Sequence, residues 1–179
     1  PSVKPKICHQ GYHLTDNPIQ WWGKPNQQGF LVEFKGKTDG QFEDYPRRIK
    51  SVESCRRLRP LTSKELAGYN VFIDGEHVLV GDTRTISAVA SNAIVLLFGN
   101  TTLVARDCTV YAHGTAKVLA YGNSTVYAYE NAEVQASDNT TVHAVDNTTV
   151  SANGNSKIHA TDSVYVYPSD KFTGVIVRT

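Results

Sequence analysis

The sequence predicts a mainly β protein: a single-chain β-solenoid, or β-helix, of octapeptide repeats with a small N-terminal α/β head. Three observations carry this reading. An aliphatic residue recurs every eight positions, at Val110, Val118, Val126, Val134, Val142, Val150 and Ile158. Each is followed two residues later by an alanine, Ala112, Ala120, Ala128, Ala136, Ala144, Ala152 and Ala160. Turn-forming residues then separate the units, with Gly, Asp or Glu at the fifth place and Asn at the sixth in Asn123, Asn131, Asn139, Asn147 and Asn155. A unit this short cannot bury its own apolar face, so copies of it must stack.

Three segments follow: a small basic α/β head over 1–70, the repeats over 71–167 and a C-terminal cap strand over 168–179. Charge divides at the same boundary. Residues 1–68 hold 12 Lys/Arg against 7 Asp/Glu, a net +5, and residues 69–179 hold 6 against 10, a net −4. With 40% hydrophobic and 20% charged residues the composition is that of a folded globular chain, not a disordered one. No apolar run reaches the roughly 18 residues of a membrane span. The start, Pro1-Ser2-Val3-Lys4-Pro5, lacks the apolar core of a signal peptide, so a cytoplasmic or virion-associated location is expected over classical secretion. Cys8, Cys55 and Cys108, odd in number and widely spaced, are read as reduced thiols.

Within the head, Thr15-Asp16-Asn17-Pro18 is a helix-start pattern, a capping side chain before a proline that needs no N–H in the first turn. The helix would carry Ile19, Trp21 and Trp22. Gly29 to Lys35 is rich in strand-forming residues, and a second strand is expected over Arg48 to Val52. Thr62 followed by Glu65 has the spacing of a capping box, for a short helix over Ser63 to Ala67. Arg47, Arg48, Lys50, Arg56, Arg57 and Arg59 form the densest basic stretch. Of these, Arg47, Arg48, Arg56 and Arg57 are taken as the candidate contacts to an acidic partner. Cys8, His9 and His13 are three close donors without a fourth, so no metal site is assigned.

The run Cys8-His9-Gln10-Gly11-Tyr12-His13-Leu14-Thr15-Asp16-Asn17-Pro18, with the Phe30-Leu31-Val32-Glu33 strand and the Ile49 to Leu61 segment, resembles an uncharacterised domain of bacterial and phage proteins. In that family a Cys-x-x-Gly-aromatic-His signature precedes a short helix, and Ala/Val/Asn-rich repeats often follow. The family usually has a further strand upstream, which the resemblance implies lies in a longer polypeptide or is dispensed with in a shorter member. The order Gly11-Tyr12-His13-Leu14-Thr15, helix, apolar strand is also similar to part of the ADP-ribosyltransferases. That similarity implies an NAD-using alternative, for which His13 and Glu53 are the candidate catalytic residues. No motif sets a base-orienting carboxylate on His13, which favours a structural role for it.

In the repeat, places 1 and 3 alternate with exposed places 2 and 4, the period of a strand, and small residues at place 7 are expected to point inward at the bend. Stacked corner asparagines are expected to bond to one another along the axis. Upstream, Val95, Leu97, Gly99 and Asn100 fit the template, as do Ser87, Val89, Ser91 and Asn92, while Leu103, Ala105 and Asp107 form a unit one residue short. The larger Val95, Leu96, Leu97 and Phe98 predict a wider or capped first end that joins the head. Pro168 is expected to stop the ladder, and Lys171 to Thr179 to fold over the last coil with Val175 and Val177 facing it. Spacing of sixteen aligns Tyr111, Tyr127, His143 and His159 at place 2, which favours two octads per coil. The sequons at Asn100, Asn123, Asn139 and Asn147 follow from the turn pattern itself.

The Tyr111, Tyr127, His143 and His159 column has two readings: a platform for a protein or glycan partner, or stacking that stabilises the sheet. The function expected is a noncatalytic structural or binding protein of bacterial or phage origin, needing no cofactor, with the solenoid as rigid scaffold or interaction platform. The alternatives are the ADP-ribosyltransferase-like head and a trimeric phage or surface spike. The second stands because alternating aliphatic and small residues also resemble the intertwined three-chain β-helix of phage needles, in which the third place is Gly. Both a monomer and a trimer remain open.

Overall fold

The structure is a computed structural model that describes residues 12–15, 28–39 and 49–179. The chain divides into two compact units, Pro1–Val71 and Phe72–Thr179.

The first unit holds a three-stranded antiparallel sheet of β1 (Tyr12–Thr15), β2 (Phe30–Asp39) and β3 (Ile49–Pro60), in the order β1-β3-β2. The two strands read from the sequence appear as β2 and β3, and β3 runs on well beyond Val52. The reason is pairing: Phe30 to Lys35 lie opposite Pro60 to Ser54, so the segment that carries Arg56, Arg57 and Arg59 is held as a strand by its neighbour. The helix expected after Pro18 lies outside the described residues. Helix α1 (Ser63–Ala67) forms as its capping box requires. The Thr62 N–H donates to Glu65 Oε2 at 2.9 Å, and the Glu65 N–H donates to Thr62 Oγ1 at 3.3 Å.

The second unit is the solenoid. After β4 (Val71–Phe72) come two long strands, β5 (Glu76–Ser91) and β6 (Ile94–Arg106), which bend around the coil. Short strands then alternate between two walls. Strands β7 (Thr109–Ala112), β9 (Thr125–Ala128), β11 (Thr141–Ala144), β13 (Lys157–Ala160) and β15 (Val175–Arg178) stack in parallel on one. Strands β8 (Lys117–Tyr121), β10 (Glu133–Ala136), β12 (Thr149–Gly154) and β14 (Tyr165–Phe172) stack on the other. β6 begins both, with Ile94 to Leu97 against β7 and Thr102 to Arg106 against β8. One coil is therefore two octads. Val118, Val134 and Val150 lie in one column, and Val110, Val126, Val142 and Ile158 in the facing one. A single chain supplies both walls.

The interior follows the repeat. The place-1 aliphatics and place-3 alanines are buried to within 2% of complete exclusion from solvent, and Ala116, Ser124, Ala132, Thr140, Thr148 and Ser156 at place 7 are fully buried. Because the two walls face each other across one layer of side chains, Ala is the largest residue place 3 accepts in the regular coils. The first coil encloses the larger side chains that a wider end requires. Leu97 and Leu103 are fully buried there, and Glu76 to Gly81 pair with Ile94 to Gly99 before a shift in register. Gly99 has φ +65°, and a Cβ on it would overlap the Gly81 carbonyl oxygen.

The corners from Asn92 to Gly154 turn on place 5. Asn92, Asp107, Glu130, Asp138 and Asp146 all have φ between 52° and 61°, and Gly99, Gly114, Gly122 and Gly154 share the left-handed region. Asp and Asn tolerate it better than most L-residues. The corner asparagines at place 6 are not left-handed, and the expected ladder is partial: Asn155 Nδ2 donates to Asn139 Oδ1 at 3.2 Å. Carboxylates bind the corners instead. Gly114 N–H donates to Glu130, Gly122 N–H to Asp138 and Glu130 N–H to Asp146, each across one coil.

Two expectations are corrected. The unit at Ser87 to Asn92 sits one residue later than its sequence alignment, because Ala88 pairs with Leu103 and Ala90 with Ala105. Asn92 is thus the left-handed residue. A slip of one residue exchanges inside and outside, and burial of Ala90 selects this register. Pro168 does not stop the ladder either. It stands within β14 opposite Ala152, and β15 continues the first wall with Ile176 beside Ile158. Both β14 and β15 end the strand order, and an edge strand has no further neighbour that needs a proline N–H. Val175 and Val177 pair with Lys157 and His159, and are 55% and 39% exposed rather than turned onto the core.

Candidate functional site

The two walls share one inward pattern and differ outside. On the wall of β7, β9, β11 and β13, place 2 carries Tyr111, Tyr127, His143 and His159 in register. Their rings stack at centroid distances of 4.9, 5.0 and 4.8 Å, within 12° of parallel. These spacings are the strand separation itself, near 4.8 Å. Beside this column runs a second that the sequence reading missed. Phe98, His113 and Tyr129 at place 4 stack at 5.0 and 4.6 Å. The sixteen-residue alignment applied to place 4 would have found His113 and Tyr129. Thr109, Thr125 and Thr141 form a third row on the same wall.

Seven rings and three threonines so make an outward surface on which Lys157, next in the threonine row, is the formal charge among these rows. Across its strands it extends about 20 Å along the axis and about 15 Å along the strand direction, on the order of 300 Å². That is the size at which the largest apolar patch of a monomer is often functional. The opposite wall is ordinary by contrast. Its outward side chains include the Lys117–Glu133 ion pair at 2.9 Å and Arg106 over the Tyr121 ring at 5.4 Å, followed by Gln135, Ser137, Ser151 and Asn153.

Ring stacking constrains what the aromatic wall can hold. Tyr127 and His143 have a ring neighbour on each side, as does His113. A sugar that packs on an aromatic ring needs an open face, so the inner rings offer little to one. They offer a pre-ordered, ridged surface to a flat partner. Burial, and then the neighbouring His159, lower the His143 pKa, which favours the uncharged ring at neutral pH.

Among the described residues of the basic stretch, Arg56, Arg57 and Arg59 are engaged within the chain. Arg56 pairs with Glu33 at 3.0 Å and Arg57 lies over the Phe30 ring at 4.7 Å. Arg59 grips Glu65 through two bonds, at 2.7 and 2.8 Å. That grip, with bonds from Thr62, holds the Glu65 carboxyl at about 2. Arg47 and Arg48 lie outside the described residues. His13 is on β1 opposite Ser51 and Glu53 is on β3, but their side chains also lie outside what is described. Cys108 fills the inward corner place that Ser124 takes one coil later, and burial pushes its thiol up to about 11. It is a packing residue, not a nucleophile. No helix among the described residues is long and apolar enough to cross a membrane.

No family model, no curated protein and no solved structure matches this chain.

Proposed function

We propose that the protein is a noncatalytic binding protein in which the solenoid is a rigid interaction platform and the aromatic wall receives a flat protein partner. One observation carries this reading: two walls built from the same inward repeat differ outward, one bearing two stacked ring columns with Lys157 at its edge, the other an ion pair and polar residues before Tyr165 and Tyr167. Ring stacking would stabilise either wall alike, so its concentration in two columns on one wall supports a role beyond stability. The resemblance of the head to a bacterial and phage domain adds an origin in which such rods occur. Arg56 and Arg57, already partnered, contribute less to an acidic contact than their number implies.

The test compares equivalent places on the two walls. A photo-crosslinking residue replaces Tyr127 on the aromatic wall or Gln135 on the polar one, in cells that make the protein. The platform reading expects one discrete product from place 127 and none from 135. Equal products, or none from either, reject it. Light scattering coupled to size exclusion decides the spike alternative: a three-chain mass favours the spike, and a single-chain mass leaves the aromatic wall free for another protein.

A further inference from the structure

We propose that His143 and His159 form a two-histidine site for a divalent transition ion of the imidazole-preferring class, Cu²⁺, Ni²⁺ or Zn²⁺. The two residues are direct register partners on neighbouring parallel strands, β11 and β13. Their rings lie 4.8 Å apart and 9° from parallel, half-buried on the outward side of the wall. An ion bound at about 2.0–2.1 Å from each nitrogen brings two imidazole nitrogens to within about 4.2 Å of each other. Each lone pair lies in its own ring plane, so the two rings must swing out of their parallel stack and converge on the ion. The ladder fixes the two backbones as neighbours, so side-chain rotation is the change that binding requires.

Stacking does not by itself call for histidine here. Tyr111 and Tyr127 fill the same column at the same spacing. The column changes from tyrosine to histidine at two successive coils, and that change adds two nitrogen donors next to each other. The groups around the pair are Tyr127 and Val177 above and below, Thr141 and Lys157 on one side, and Val145 and Thr161 on the other. Lys157 is the charged side chain in this set, and it disfavours a cation modestly at exposed range. Arg178 on β15 is turned away, donating to the Thr161 and Val164 carbonyls. Among the described residues no group of three or more His, Cys, Asp or Glu side chains converges, so the ion keeps open positions for water or for a donor from another molecule. Affinity follows Ni²⁺ below Cu²⁺ above Zn²⁺. His77 does not share in this, since its Nε2 is 2.6 Å from the Asp74 carbonyl oxygen.

The experiment titrates the full untagged chain at pH 7.5 with CuCl₂, NiCl₂ and ZnCl₂ by isothermal calorimetry, beside H143Y, H159Y and H113A. Tyrosine is native to this column and keeps the stack, so both Tyr variants fold, which circular dichroism checks. The site requires that each Tyr variant loses one equivalent of bound ion, that H113A keeps it, and that lowering the pH to about 5 releases it as the imidazoles protonate. Binding that is unchanged in H143Y and H159Y, whether it resides in Cys8, His9 and His13 or elsewhere, overturns the proposal. So does the absence of saturable binding in the native chain. None of these outcomes depends on whether the aromatic wall binds a protein.

Discussion

Glu130 reaches back one coil to Gly114: its Oε2 accepts the Gly114 backbone N–H at 2.6 Å, across 16 residues of sequence. Both residues occupy the left-handed place of their corner. The side chain of one corner thus satisfies the backbone of the preceding one, and Asp146 does the same for Glu130 at 3.1 Å. An acidic residue at this place accepts the strain of positive φ and returns a charge-assisted bond along the axis.

Asp138, at φ 59°, makes the same bond to Gly122 at 3.0 Å. Asp138→Ala loses the acceptor and keeps the strained backbone, and should cost about 1–2 kcal/mol. Asp138→Asn keeps an acceptor oxygen on a residue that tolerates the conformation, and should cost well under half as much. Urea unfolding of the two variants checks the order; equal losses would remove the bond from the account.

The narrow interior predicts opposite failures at neighbouring places. Val134→Ala leaves a gap and should destabilise by about 2 kcal/mol. Ala128→Leu, at a fully buried place, forces the walls apart and should cost about 1–3 kcal/mol. Leu97 fills place 3 in the wider first coil, so Leu97→Ala should resemble the first kind of change rather than relieve crowding. Thermal unfolding should show all three variants melting below the native chain, and an unchanged or raised midpoint for Ala128→Leu would reject the narrow interior.

Two buried threonines should respond with opposite signs. Thr140 Oγ1 donates to the Ser137 carbonyl at 2.6 Å, whereas Thr148 Oγ1 is buried without a hydrogen-bond partner. Thr148→Val removes an unsatisfied hydroxyl at constant shape and should stabilise by about 1 kcal/mol. Thr140→Val breaks a bond and should destabilise by about the same amount. Denaturation midpoints of both variants in one buffer decide it.

Acid should weaken the solenoid through His143. Its pKa in the fold is lowered from the ordinary value of about 6.5, by burial first and His159 second. In the window between the two values the unfolded chain binds more protons than the folded one, so stability falls as pH falls. The contribution is complete above about pH 6.5 and is lost as pH drops through the lower folded value. His143→Tyr should flatten the slope between pH 7 and pH 5, read from unfolding midpoints across that range. An unchanged slope would assign it elsewhere.

Periodicity alone determined the solenoid, the inward places 1, 3 and 7, the sixteen-residue alignment of Tyr111 with Tyr127, the wider first end and the capping box of Thr62 and Glu65. All of these are local, since the alternation of buried and exposed side chains is written into each octad and a cap needs only three residues. Tertiary structure decided what depends on neighbours far apart in the chain. Pairing of Ala90 with Ala105 set the first register. The absence of a strand beyond β14 let Pro168 sit in the ladder. Glu33, Phe30 and Glu65 engaged the arginines that composition alone left open. The same stacking brought Phe98 onto the second ring column, because the first coil is one residue short of the sixteen-residue spacing that aligns His113 with Tyr129.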